Sequence, residues 1–410
     1  MKPGSRLLAL AALVLQVHGA DNYLDTSLIG SSERTAAAVR GNNALGSHMA
    51  SSWEHEAAAV INGRFEGISF KARAEQRRID PERGQRRHHD DLRLLELATA
   101  RNVGEHGVIT LGKTFLNWDV GLSAQPLGFF QWENQLTDLG DSLGQAEGIP
   151  LVAAAWLDER FDLTVAYGSG RRSRGKRVLE QAALNLGWHN EQLALALVAQ
   201  KPAGGRVGVG GTFSWTARPE LVVHGSLFRR RGNSREMDRR LLDGSGFAQL
   251  GRWREHDQRH YLKSVLGATW AFGADSSLIA EWSYDAAGLD RQQWQRYRQL
   301  VEQDLAAYRQ QADNYAAYQL YADSAALHES GARRHYLFLQ WRGSEGNWSF
   351  APLLRFGEGG SVMSHLGGSY RLSRSATANF GLTHFSGRRG SEYDYLPIRY
   401  IARLSLNWTF

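Results

Sequence analysis

The segment 400-YIARLSLNWTF-410 decides the fold. Tyr400, Ala402, Leu404, Leu406, Trp408 and Phe410 are apolar, and Arg403, Ser405, Asn407 and Thr409 stand between them. Alternation with a period of two puts one residue set on each face of a sheet. The same pattern recurs upstream in 68-ISFKARAEQ-76, 160-RFDLTVAYG-168, 192-QLALALVAQ-200, 207-VGVGGTFSW-215 and 219-PELVVHGSLF-228. It continues in 261-YLKSVLGATWAF-272, 278-LIAEWSYD-285, 335-HYLFLQWR-342, 347-NWSFAPLLRF-356, 362-VMSHLGGSYRL-372 and 376-ATANFGLTHF-385. Segments near 50–62, 91–101, 107–116, 149–157 and 178–188 follow it less cleanly. Each is about as long as a tilted membrane strand, roughly 9–11 residues.

A soluble sandwich also alternates, so the contents of the two faces matter. Strand ends repeatedly carry aromatics, among them Trp188, Trp215, Trp270, Trp341, Trp348 and Trp408, as a girdle at a lipid interface does. The other face carries charge at mid-strand, for example Lys71, Lys263, Glu281, Arg355 and Arg403. Those charges are costly in a dry core and cheap beside water. The 410 residues include 44 Gly, 8 Pro, 13 Trp, 14 Tyr, 16 Phe and no Cys. Many strands joined by turns suit that composition.

The N-terminus points to export. Lys2 and Arg6 precede the apolar run 7-LLALAALVLQV-17, and HGA follows. A basic region, a short apolar region and small residues make a signal peptide, expected over 1–20, with residues 21–410 as one barrel domain. The apolar run is too short to span a bilayer, which takes roughly 20 residues. No other apolar run approaches that length. An exported chain of this kind spans a membrane only as a closed barrel, because lipid leaves no unpaired backbone groups.

Connections alternate between brief and long. Tight turns fall near 62–67, 102–107, 158–160, 188–192, 216–220, 273–277, 343–347 and 372–376. Most of the others are longer, including 77–91, 117–148, 229–258, 286–333 and 386–397. One rim of tight turns and one of long loops is the outer-membrane arrangement. The alternating segments imply an unseen strand within 21–49, with 23-YLDTSLIGS-31 the candidate. The expected fold is an all-β transmembrane antiparallel barrel of 18 strands, with 16 as the alternative. GSHMAS (46–51) looks like a vector-derived scar but lies mid-chain with no His run before it, and is read as a coincidence or as part of the first outer loop.

The terminal Trp408-Thr409-Phe410 resembles the C-terminal signature of bacterial outer-membrane barrels. That resemblance implies recognition of Phe410 by the barrel-assembly machinery. The stretch 111-LGKTFLNWDVGLSAQPLGFFQ-131 is similar to a segment of alginate-export-type porin families, through Gly112-Lys113, Trp118-Asp119, Gly121 and 126-PLGFFQW-132. The resemblance implies an aromatic-rich loop folded into the lumen and, as one version of the function, polysaccharide export. Not all charged positions match, so no substrate carries over. Trp118, Asp119 and Gln131 are the candidates at a constriction.

Residues 289–322 change period. Trp294, Tyr297, Val301, Leu305 and Tyr308 fall at helical steps, with Asp290 placed to cap. A helix in an outer loop is expected, lying as a lid on the rim or binding a partner or polymer. The inward set of the strands carries Lys71, Arg73, Lys263, Arg342, Arg355, Arg371 and Arg403 against Glu75, Glu96, Asp162, Glu281 and Asp285. Bases outnumber acids modestly, which favours anions; ladders of Arg and carboxylate between strands are the alternative. Loops such as 229-RRRGNSREMDRR-240 suit the phosphates of lipopolysaccharide.

The net charge is +6, but the Arg residues are spread and no nucleic-acid motif is present. His88, His89, Asp90 and Asp91 are adjacent in sequence, which is a poor metal pattern. Nucleotide loops and HExxH are absent, so no enzyme, cofactor or metal is expected. The expected function is an outer-membrane channel for a hydrophilic, anion-biased solute or polysaccharide. The rival is a non-conducting barrel that acts as scaffold or receptor through its outer loops.

Overall fold

The computed structural model describes residues 23–37, 51–82, 84–130, 147–171, 177–231, 234–238, 252–256, 260–311, 320, 331–396 and 398–410. The expected signal peptide, Gln131 and all of GSHMAS but Ser51 lie outside these residues.

The strands follow one another round a ring. They are β1 (Tyr23–Ala37), β2 (Ser52–Phe65), β3 (Ile68–Pro81), β4 (Arg87–Val103), β5 (Gly107–Thr114), β6 (Ile149–Leu157) and β7 (Phe161–Arg171). Next come β8 (Arg177–His189), β9 (Leu193–Pro202), β10 (Gly208–Arg218) and β11 (Leu221–Arg231). A separate hairpin, β12 (Ser234–Asp238) with β13 (Arg252–His256), stands in the following loop. The ring resumes with β14 (His260–Ala271), β15 (Ser276–Asp285), β16 (His335–Glu345), β17 (Trp348–Phe350) and β18 (Leu353–Gly357). It ends with β19 (Ser361–Arg371), β20 (Ala376–Gly387) and β21 (Ile398–Thr409).

Among the described residues all strand pairings of the ring are antiparallel, and β21 closes on β1 through Ser27↔Thr409 to Ala37↔Ile398. Closure leaves no open edge in lipid. β17 and β18 are two pieces of one crossing, both paired with β16 and β19, so the barrel has 18 strands. The interruption falls at Ala351-Pro352, where proline has no N–H for the ladder. The Pro352 carbonyl still accepts from Trp341 N at 3.1 Å.

The weak first strand is real and longer than its sequence suggests. Gly30, Ser31, Ser32 and Glu33 blur the alternation, yet neighbours on both sides supply the register. The outward set is strongly apolar. Leu197 is 69% exposed and Leu404 62%, exposure that lipid tolerates and water does not. Trp156, Trp215, Trp270, Trp348 and Trp408 stand outward next to the tight turns.

The helical loop forms as α1 (Arg291–Gln311). Gln293 N donates to Asp290 Oδ1 at 2.8 Å and Asp290 N donates to Gln293 Oε1 at 3.0 Å, a reciprocal cap. Residues 312–319 and 321–322 of the expected span are outside the described residues. Its place differs from a lid on the rim. Trp294, Tyr297, Val301 and Leu305 join one buried cluster with Phe338, Leu353, Met363, Phe385 and Ile401, all members of the inward set. The helix therefore packs inside the barrel mouth. The reason is the last outer loop, where α2 (Glu392–Tyr395) turns its tyrosines inward and supplies an apolar seat. Trp294 meets Tyr395 edge-on at 5.8 Å and donates Nε1–H to the Gly390 carbonyl at 2.9 Å.

Candidate functional site: a pinned loop and an ion-paired wall

The loop after β5 runs along the inner wall. Leu127 and Phe130 are fully buried. Phe130 sits on Ile149, Leu151, Ala153, Ala166 and Ala183, while Leu127 sits on Val198 and Phe228. The wall is cut to fit: a Cβ at Gly168 would lie 2.9 Å from the Phe130 ring. Trp118 packs edge-on against Phe130 at 5.6 Å, and Phe129 against Phe228 at 4.8 Å.

Two carboxylates hold the loop. Asp119 Oδ1 accepts from Gly121 N at 3.0 Å and from the Ser226 hydroxyl at 2.7 Å, and Oδ2 accepts from Leu127 N at 2.6 Å. Burial raises the Asp119 carboxyl above the ordinary aspartate range, against the pull of those donors. Glu281, on β15, accepts from Leu122 N at 2.9 Å, Ser123 N at 2.6 Å and His224 Nε2 at 2.9 Å. Gln181 adds a bond from Nε2 to the Phe129 carbonyl at 2.6 Å. Trp118 and Asp119 thus belong to the loop on the inner wall, and their contacts are with that loop and the wall. Glu281, expected to line the pore, is 1% exposed and serves as a clamp.

On the opposite wall lies a dense ion cluster. Arg73 bonds Glu56, and its Nε donates to Glu75 Oε2 at 2.9 Å. Arg93 bonds the same Glu75 oxygen at 2.5 Å and approaches Asp91 at 3.3 Å. Arg77 reaches Glu54 at 3.1 Å, and Arg403 reaches Glu56 at 3.8 Å. These four arginines are matched by four carboxylates, and Glu33 stands opposite Arg403 in register, so the cluster carries no excess of base. Arg73 is fully buried, which corrects its expected place on an open pore surface: its partners enclose it.

The remaining candidates are spread. Lys71 stands opposite Glu96, whose carboxylate accepts from the Thr114 hydroxyl at 2.8 Å. Lys263 stands opposite Asp285. Arg355 lies over the Tyr336 ring at 3.6 Å and donates to the Tyr393 hydroxyl at 3.4 Å, under the inward loops. Asp162, Arg342 and Arg371 lie apart, near the tight turns; Arg342 Nε donates to Gln340 at 3.0 Å. Sequence reasoning missed Arg77, Arg93, Glu54 and Glu56. β3 extends past Gln76 to Pro81. In β4 the register shifts beside Leu95, so Arg93 and Glu96 face the same way despite unlike parity.

Among the described residues no group of His, Asp and Glu is arranged to hold a metal ion. No family model and no curated protein matches the sequence. Solved structures share the fold. OccK7 (OpdD) of Pseudomonas aeruginosa is 8% identical with a TM-score of 0.54, over 96% of this chain and 99% of that one. OccK8 (OprE) of the same organism is 9% identical with a TM-score of 0.51, over 95% and 98%. OccAB1 of Acinetobacter baumannii is 8% identical with a TM-score of 0.51, over 95% and 97%. A closed 18-stranded barrel with an apolar outer belt and one rim of tight turns makes this chain a bacterial outer-membrane protein.

Proposed function

We propose that the chain is a passive channel for small hydrophilic solutes, with a weak bias toward anions. One observation carries this reading. Arg342 and Arg371 belong to the inward set at its tight-turn end and are exposed, so that mouth of the barrel opens to water. Barrels of 16–18 strands enclose more space than their own wall fills. The pinned loop and the inserted helix narrow the passage from the long-loop side. No catalytic step is needed.

The anion bias is small because the largest cluster of bases is matched by acids. It rests on Lys71, Arg342 and Arg371 against Glu96 and Asp162. Polysaccharide export is the version least favoured, since a polymer needs width that a doubly clamped loop and a seated helix take away. Planar-bilayer recording tests the proposal. Stepwise ionic current is expected, with a reversal potential displaced toward the anion in a salt gradient. Folded barrel that inserts and carries no current overturns the reading in favour of a scaffold or receptor.

A further inference from the structure

We propose that the outer wall at β9–β11 binds a phosphorylated glycolipid of the outer leaflet through Lys201, Arg206, Arg229 and Arg231. Register fixes the direction of three of them. Val209 pairs with both Ala199 and Arg229 and is 56% exposed to lipid. Lys201 and Arg231 follow two residues after these partners, so they share the outward face. Arg206 lies in the short connection between β9 and β10 and is exposed. All four stand at the long-loop end, the outer-leaflet side.

Spacing suits a phosphate-bearing headgroup. Lys201 and Arg231 are two strands apart, about 10 Å across the sheet at roughly 4.8 Å per strand. Arg229 is about 7 Å below Arg231 along its strand. Val207 stands level with Lys201 and Arg231, Val209 level with Arg229, and Leu227 below them, exposed at 56%, 56% and 47%. Acyl chains on that apolar belt would place their headgroup among the cations. Arginine takes phosphate oxygens in pairs, and such charge-assisted bonds are the strong ones.

The opposite side of the barrel gives the contrast. At the same end of β1–β4, Arg78 and Arg86 meet Asp80 at 2.9 Å and 3.2 Å, and Arg34 is bonded to Glu82. Among the described residues the long-loop end of β9–β11 carries no outward carboxylate; the nearest is Glu180 on the adjoining β8, and none of the four cations has a carboxylate partner. The Lys201 ammonium donates to the Gly205 carbonyl at 2.6 Å, which holds it in place without neutralising it. Charge complementarity therefore selects a polyanionic lipid over a zwitterionic one.

The test uses the full barrel in detergent, with bisphosphorylated lipid A as probe and native mass spectrometry as readout. The parent is expected to retain lipid A and to release the same glycolipid stripped of phosphate. Arg229→Gln with Arg231→Gln should weaken retention by about tenfold per arginine. Arg78→Gln with Arg86→Gln, on the paired side, should leave it unchanged. Heat-modified gel mobility shows that each variant is folded. Equal loss in both double variants, equal retention of the stripped lipid, or displacement of lipid A by millimolar inorganic phosphate would overturn the proposal.

Discussion

Removing the Glu281 carboxylate should release the near end of the inward loop. Glu281→Ala deletes three bonds, to Leu122 N, Ser123 N and His224 Nε2. A bond to a charged partner is worth about 1.5–3 kcal/mol when both partners stay dry. Water in the lumen will recover part of that for the two amides, so a net loss of about 3 kcal/mol is the working figure. A loss of that size raises the undocked population by roughly a hundredfold. Asp119, Leu127 and Phe130 still hold the far end, so the segment 121–124 swings while 127–130 stays seated. The assay is single-channel recording in a planar bilayer at constant salt. Frequent excursions to a higher conductance level are expected, with Glu281→Gln intermediate because one oxygen still accepts. Traces of Glu281→Ala that match the parent in level and noise refute the clamp.

The buried ion cluster gives a paired prediction: Arg73→Gln and Glu75→Gln should each cost about 3–5 kcal/mol, because each strands a charge. Thermal gel-shift midpoints should fall for both, while their reversal potentials move in opposite directions. Gly112→Ala should lower the yield of folded barrel, since Gly112 has φ of 131° and an added Cβ would lie 2.2 Å from the Leu97 carbonyl oxygen; refolding yield in detergent measures it. Glu392→Gln should loosen the seat of α1, because Glu392 accepts from Ala332 N at 2.8 Å and from the Tyr336 hydroxyl at 2.7 Å. Protease cleavage within 291–311 should quicken several-fold while the barrel itself stays resistant.

The strands were legible because lipid and water impose opposite demands on neighbouring residues, and 400–410 states both in eleven positions. Even the faint strand at 23–37 could be inferred from closure and an even count, though its length could not. What folds inside was harder to read. Trp294, Tyr297, Val301 and Leu305 announce a helix with one apolar face, but that face fits a rim or an interior equally well. The deciding partner is SEYDYL at 391–396, whose burial appears only once β20 and β21 place it beside the helix. The clamp was invisible for a related reason. Asp119 and Glu281 are both plain acids in sequence, and each owes its role to a loop held by a strand over 100 positions away. The ion cluster likewise depends on a bulge at Leu95 that simple parity counting passes over.

The seam between β1 and β21 has a kinetic consequence. Ser27 and Thr409, joined there through their side chains as well, are separated by nearly the whole polypeptide. Local hairpins can pair early, but the cylinder stays an open sheet with two sticky borders until the last dozen residues exist. During that interval both borders are open to pairing with other chains, and the Ser27–Thr409 seam is the contact that ends the exposure.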